Sequence, residues 1–440
     1  MPRFARRRGL GVVGLAGRWL PAVASGALVL VSAAGAAAPV ITEFSVGITD
    51  GAAPGGIVAG PDGNLWFTEI DGGRIGRITP AGVVTEYRLG AVVQAHEGSE
   101  EITTGPDSNL WFTEYGANRI GKITPAGVVT EYSAGLTAKA HPFGIAAGPD
   151  GNLWFTEYGA NRIGKITPAG VVIEYSAGIT AGSFPNRIAV GPDGNLWFTE
   201  IGGDRIGKIT PAGAVTEYRA GITAGSAPNG IAAGPDGNTW FTEYGANRIG
   251  KITPAGVVTE YGYRSTTAYR ERVGGGIAAG PDGNLWFTES RDDKIGRITP
   301  AGVVTEYGAG ITDPRGIAPG PDGNMWFTES GVDRIGRLSL PRVSVTVTIW
   351  GEGRVTGGGI SCAGRCKATI PLGATLTLRA SPIRGYRFAG WSGACKGIRA
   401  CTLHPRSAVS LTATFRKRTT TSGKGSRLHL VPYSAPPLRY

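Results

Sequence analysis

Seven glutamates and seven basic residues recur at one spacing along this 440-residue chain. Glu69, Glu114, Glu157, Glu200, Glu243, Glu289 and Glu329 are followed five residues later by Arg74, Arg119, Arg162, Arg205, Arg248, Lys294 and Arg334. Carboxylates gathered into one ring could hold a hard cation, because oxygen donors suit Mg²⁺ or Ca²⁺. They could equally face the cations across hairpins, each pair contributing about 0.2–1 kcal/mol if exposed. Sevenfold recurrence favours the ladder of hairpin ion pairs, since what repeats in every unit belongs to the scaffold. Chemistry is to be sought among residues that occur once.

Three such places stand out. Tyr263, Arg264, Tyr269, Arg270 and Arg272 interleave aromatic rings with guanidinium groups in one long connection. They could stack on a ring and bind an anion, or form a solvated loop. An acidic stretch holds His96, Glu97, Glu100 and Glu101, with Glu100 a candidate base. His141 stands alone before Pro142-Phe143-Gly144, a candidate catalytic histidine or a surface one. There is no Gly-x-Ser-x-Gly elbow, no His-Glu-x-x-His helix and no phosphate-binding glycine loop.

The elements that position these residues come from a repeat. Trp66, Trp111, Trp154, Trp197, Trp240, Trp286 and Trp326 mark seven copies of a phrase near Gly-Pro-Asp-Gly-Asn-Leu-Trp-Phe-Thr-Glu, 40 to 46 residues apart. That period, with short apolar runs between Gly/Pro/Asn/Asp turns, predicts β-propeller blades of four strands each. Fourth strands end at Tyr87, Tyr132, Tyr175, Tyr218, Tyr261 and Tyr307, one short of seven. The missing strand is expected at Ile41-Thr42-Glu43-Phe44, where it would complete the last blade and close the ring. The short, uniform turns fall at one end of the blades. Variable loops fall at the other, the expected working face.

Length and composition, with 73 Gly and 29 Pro, suit an all-β chain rich in turns. Residues 1–38 read as a signal peptide, with five arginines, an apolar Leu20–Val31 run and Ala-rich cleavage sites; a retained anchor is the alternative. Net charge is +11, but residues 40–340 carry 23 Lys+Arg against 32 Asp+Glu, whereas residues 341–440 carry 16 against Glu352 alone. The expected organisation is therefore a propeller over 39–340, a basic β domain over 341–416 and a disordered basic tail over 417–440. The propeller is too acidic for a nucleic-acid partner. Cys362, Cys366, Cys395 and Cys401 all lie in the basic part. Two disulfides with three possible connectivities are expected, Cys362–Cys366 with Cys395–Cys401 being favoured and a zinc site the rival.

The phrases "GPDGNLWFTE", "NRIGKIT" and "VTEY" resemble the blades of the virginiamycin B lyase family throughout residues 41–340. The resemblance implies a seven-bladed propeller that opens streptogramin B antibiotics by elimination at an ester, using Mg²⁺ and a histidine base. The family's Glu-Pro-His-Gly-Ile matches Asp313-Pro314-Arg315-Gly316-Ile317 here, so Asp313 and Glu329 are the implied Mg²⁺ carboxylates. Arg315 falls at the base position, and a guanidinium cannot take a proton near neutral pH. A second family histidine aligns with Gly275. The same slot elsewhere holds Gly55, Glu100, Phe143, Asn186 and Asn229, none of them histidine.

Residues 342–416, with "FAGWSGAC" as the most specific phrase, resemble small bacterial surface domains related to the internalin B-repeat. Their charge suggests an anionic cell-envelope polymer as partner, or solubility alone. The chain thus reads as an all-β, secreted or cell-surface protein, expected to be a monomer. One function is binding of a small molecule or glycan at the working face, through Tyr263, Arg264, Tyr269, Arg270, Arg272 and Arg315. The other is a Mg²⁺-dependent carbon–oxygen lyase conferring antibiotic resistance.

Overall fold

The computed structural model describes residues 39–90, 99–262 and 275–418. The expected signal segment, His96, Glu97, the Tyr263–Arg272 residues and the tail from 419 lie outside the described residues. Regular structure within them is β throughout, apart from a short 3-10 turn at Ser330–Val332. It forms nine four-stranded sheets, seven of them between Val40 and Ser339.

The third of these seven shows the shared logic. Pro142–Ala147, Leu153–Glu157, Arg162–Ile166 and Val172–Tyr175 pair antiparallel in that order. The turn between the first two is an Asp turn. Asp150 Oδ1 accepts from Asn152 N at 3.3 Å, and Gly151 supplies the positive φ of 76°. The same oxygen accepts from Trp154 Nε1 at 3.0 Å, so the turn also satisfies the buried indole. Gly164 in the third strand has no side chain because a Cβ would lie 2.1 Å from the Phe155 ring. Tyr175 of the fourth strand stacks on Trp154 at 5.4 Å, and Lys165 Nζ sits 5.0 Å above the indole.

Alternation along the second strand joins one sheet to the next. Trp154 packs with Ile188, Leu196 and Phe198 of the following sheet, and Phe155 with Trp111 of the preceding one. Threonines stitch the same junctions: Thr113 Oγ1 donates to Phe143 O at 2.6 Å, and Thr328 Oγ1 to Gly55 O at 2.7 Å. The second of these bonds ties the seventh sheet to the first. Asp333 adds to it, its carboxylate accepting from Gly51 N and Ala53 N at 2.7 and 2.8 Å. Val40–Phe44 pairs antiparallel with Arg334–Ser339 as the outer strand of the seventh sheet. Phe44 stacks on Trp326 at 5.5 Å, where six other sheets use tyrosine.

The last two sheets form the basic module. One holds Cys366–Pro371, Arg342–Trp350, Val409–Lys417 and Tyr386–Gly393 in that order. The other holds Ile360–Cys362, Gly353–Gly357, Leu376–Pro382 and Cys401–Leu403. Their inner faces share one core that includes Val345, Val347, Leu378, Trp391 and Phe415. Disulfides join Cys362 to Cys366 and Cys395 to Cys401, leaving no free thiolate for zinc. Leu340 N donates to Asn324 Oδ1 and Arg342 Nη1 to Asp322 O, both at 3.2 Å, at the seventh sheet's Asp turn.

Candidate functional site

The repeated glutamate and arginine are partners in register, but the charge contact between them is long where it occurs at all: Arg74 lies 3.9 Å from Glu69 and 3.5 Å from Glu86. Glu157 stands opposite Arg162 across the hairpin. The Arg162 Nη1 nevertheless donates to Glu174 of the fourth strand at 2.6 Å, and Arg119 does the same to Glu131 at 2.6 Å. The expected ladder is thus corrected: the basic residue serves the fourth-strand carboxylate, which also accepts from the entering loop. Thr137 N and Oγ1 reach Glu174 at 2.5 and 2.6 Å, and with Arg162 they hold that carboxyl below its usual range.

The second-strand glutamate is left fully buried, with neither oxygen of Glu157 reaching a donor. Burial, and then the Glu174 charge, push the Glu157 carboxyl up to about 8. Glu69, Glu200, Glu243 and Glu289 are likewise pushed to about 8, and Glu114 and Glu329 to about 7, burial leading in each case. Those raised to about 8 are mostly protonated near neutral pH, while Glu114 and Glu329 are close to half ionised there. Among the described residues these carboxyls do not gather into a group of three or more that could hold a metal.

Residues that occur once gather elsewhere, where the first strands of all seven sheets line a cavity of about 90 Å³. Six of the seven first strands are bulged after their opening residue, for example between Pro142 and Ile145 or Pro185 and Ile188, while the sixth begins only at Ile277. At the second bulge position five sheets carry Gly56, Gly144, Gly230, Gly276 and Gly316, while the other two carry Glu101 and Arg187. Glycine is required by crowding: a Cβ on Gly276 would lie 2.3 Å from Arg315 O, and one on Gly316 would lie 2.4 Å from Gly55 O. Into the space that these glycines leave, Arg187 Nη1 reaches from the fourth sheet to pair with Glu101 of the second. Burial raises the Glu101 carboxyl while Arg187 pulls it back. Its guanidinium also lies 5.7 Å from the Phe143 ring, and a Cβ on Gly275 would be only 2.5 Å from Arg187 Nη2.

Buried polar atoms without partners include Arg187 Nε and the Oδ1 atoms of Asn186 and Asn229. Glu100, beside Glu101, is raised by burial against the pull of Arg187 and then Arg315. The candidate base therefore feels the guanidinium groups of Arg187 and Arg315, next in sequence to the cavity-lining Glu101. His141 is not among the residues lining the cavity. Its ring stacks on Tyr115 at 4.7 Å, with Nδ1 3.1 Å from Tyr115 O, at the edge of a cluster with Phe143, Tyr158 and Phe184.

Asp313 and Glu329 were tested as the implied Mg²⁺ carboxylates. Asp313 faces Arg315 Nε at 3.8 Å, and Glu329 Oε1 accepts from Thr312 N at 2.7 Å. Glu329 Oε2 has no partner, but the same holds for glutamates in the other sheets, so it marks no special site. No group of three or more His, Cys, Asp or Glu able to hold a metal occurs among the described residues. As arranged, the pair fits a hard dication poorly. Arg187 was missed by sequence reasoning. The signal that could have found it is a bulky pair, Glu101 and Arg187, at a position otherwise kept as glycine.

A β-propeller with a basic β module and a charged cluster at its cavity is the class that these features define. The chain belongs to the virginiamycin B lyase family, whose profile matches residues 39–274 and 266–348. Residues 343–419 match the divergent InlB B-repeat domain. A streptogramin B lyase structure aligns with 36% identity over 69% of this chain and 98% of that one, TM-score 0.63. A catalytically inactive histidine-to-alanine virginiamycin B lyase from Staphylococcus aureus, solved with quinupristin, aligns with 37% identity over 68% and 100%, TM-score 0.62. A virginiamycin B lyase of Saccharopolyspora erythraea is 55% identical over 38 residues, which span 9% of this chain and 13% of that protein.

Proposed function

We propose that this protein is a ligand-binding member of the family that has left the elimination chemistry. In this reading its seven sheets are the blades of a propeller closed by Val40–Phe44, and a small molecule or glycan is held at the cavity mouth. One observation carries it: the Arg187 guanidinium, paired with Glu101, fills the space beside Gly275 where the aligned family histidine would begin. At the other aligned histidine stands Arg315, already facing Asp313. Arg315 at one aligned histidine and Arg187 beside the other would bind and orient anions; guanidinium groups do not abstract protons. Tyr263, Arg264, Tyr269, Arg270 and Arg272 would extend this surface.

Two disulfides fit an oxidising, extracytoplasmic compartment, in keeping with export by residues 1–38. The basic module would hold the protein to an anionic envelope polymer, with the propeller acting as a monomer.

The 36% identity across nearly the whole of a streptogramin B lyase favours a second reading, a Mg²⁺-dependent lyase giving antibiotic resistance. There Asp313 and Glu329 would hold the ion, which would have to displace Arg315 from Asp313. Incubation with a streptogramin B and Mg²⁺ separates the two, read by chromatography and residual antibiotic activity because elimination leaves mass unchanged. Intact antibiotic is expected. A Mg²⁺-dependent linear product that Asp313→Ala abolishes would overturn the binding reading.

A further inference from the structure

We propose that the outer face of one module sheet is a platform for an anionic polysaccharide. This rests on the reading of the basic module above and names the surface that would carry it. In the sheet built on Arg342–Trp350 and Val409–Lys417, alternation assigns the faces. Val345, Val347, Leu411, Ala413 and Phe415 are buried in the core, so the residues between them point outward.

Those outward residues are mostly threonine, and they end in an exposed ring. Trp350 is 67% exposed, although indoles are usually covered. The register places Trp350 beside Thr414, Thr348 beside Thr412, and Arg416 directly opposite Arg387 on the next strand. Arg387 and Arg416 are both exposed, and like charges facing across a strand pair repel. Glu352 is the only carboxylate residue in 342–418, against thirteen Lys and Arg, and among the described residues no ion pair to Arg387 or Arg416 is formed.

Each part matches one feature of a single ligand class. A flat indole face suits the C–H face of a pyranose ring, and threonine hydroxyls suit its hydroxyl groups. The facing guanidinium groups suit the carboxylates or phosphates that such a polymer repeats, through paired N–H···O bonds. Four strands about 4.8 Å apart give a face roughly 14 Å wide, enough for two or three sugar units. A bilayer would call for a protruding apolar cluster, whereas this face is hydroxyl-rich with one ring.

The test measures binding of the full chain to an oligogalacturonate, to a neutral dextran of similar length and to phosphatidylglycerol vesicles. The uronate alone should bind, more weakly as salt rises. Trp350→Ala and Arg387→Ser should each weaken it by about tenfold or more, with thermal unfolding unchanged. Arg354→Ser removes the same charge from the other sheet and should change affinity less than threefold. If the wild-type chain binds no anionic polysaccharide, both the module reading and this surface fall. If Arg354→Ser weakens binding as much as Arg387→Ser while Trp350→Ala does nothing, the surface falls and the module reading stands. Tight binding to the vesicles in place of the uronate also overturns the proposal.

Discussion

The propeller sheets and the basic module are both all-β, yet they handle charge and core in opposite ways. The propeller draws carboxyl groups inside, one fully buried glutamate per sheet, and spreads its core over seven junctions built from the same Trp, Phe and Ile positions. The module has a single core between two sheets, two disulfides and its charge on the outside. A repeat can carry a costly buried group in every unit because each junction supplies ample apolar burial beside it. A domain of about 75 residues has no such surplus, and cross-links add to what its core supplies.

The first expected effect lies where the propeller breaks its own repeat. Glu101→Gly should destabilise the chain by up to about 3 kcal/mol in chemical denaturation, since Arg187 loses its hydrogen-bonded carboxylate and keeps only the nearby Glu100. Adding Arg187→Gly restores the residue type that the other five sheets use, and should recover most of the loss. If the double variant is no better than the single one, the pair is not the isolated exception described here.

Next comes the module's dependence on its cross-links. Replacing Cys395 and Cys401 by serine should cost about 2–4 kcal/mol, with a lower bound set by the six-residue separation. The loss should appear in the module's unfolding transition and leave the propeller's in place, as followed by Trp fluorescence with and without reductant. Equal loss in both transitions would mean that the two regions unfold as one unit.

The third expected effect is a graded one, a pH dependence peculiar to the propeller. The second-strand glutamates titrate near 7–8 in the fold, well above their unfolded value of 4.5. The folded state therefore binds more protons between those values, and stability is lost as pH rises from about 5 to 9. Glu174 and Glu260 lie below their usual range, and their contribution is lost instead on acidification below about 4.5. Thermal melts should show the propeller's Tm highest near pH 5 and falling steadily to pH 9. Glu157→Gln, which mimics the protonated acid, should make that fall shallower, and a variant with an unchanged slope would remove Glu157 from the account.

Much of this could be read before any coordinates. Counting six Glu-Tyr strands against seven tryptophans located the missing outer strand at residues 41–44, and Val40–Phe44 does pair with Arg334–Ser339. The turns were legible because Asp, Gly and Asn have local, short-range reasons to sit there. The favoured cysteine pairing was legible for the same reason, with partners four and six positions apart. The charge partners were not. Sequence spacing put Glu157 opposite Arg162, but a long guanidinium can choose between two strands, and the fourth-strand carboxylate offered the more solvated partner.

The sequence by itself determined what each residue does with its neighbours in the chain: strand, turn, repeat and the alternation that selects a core. Those preferences act over a few residues and are repeated seven times, so they survive without knowledge of the whole. Only the tertiary structure decided that Glu101 and Arg187, 86 residues apart, meet across a cavity that five glycines leave open. It likewise decided that Trp350, Arg387 and Arg416 share one face. Contacts between distant segments depend on how sheets pack, and a local pattern carries no record of that packing.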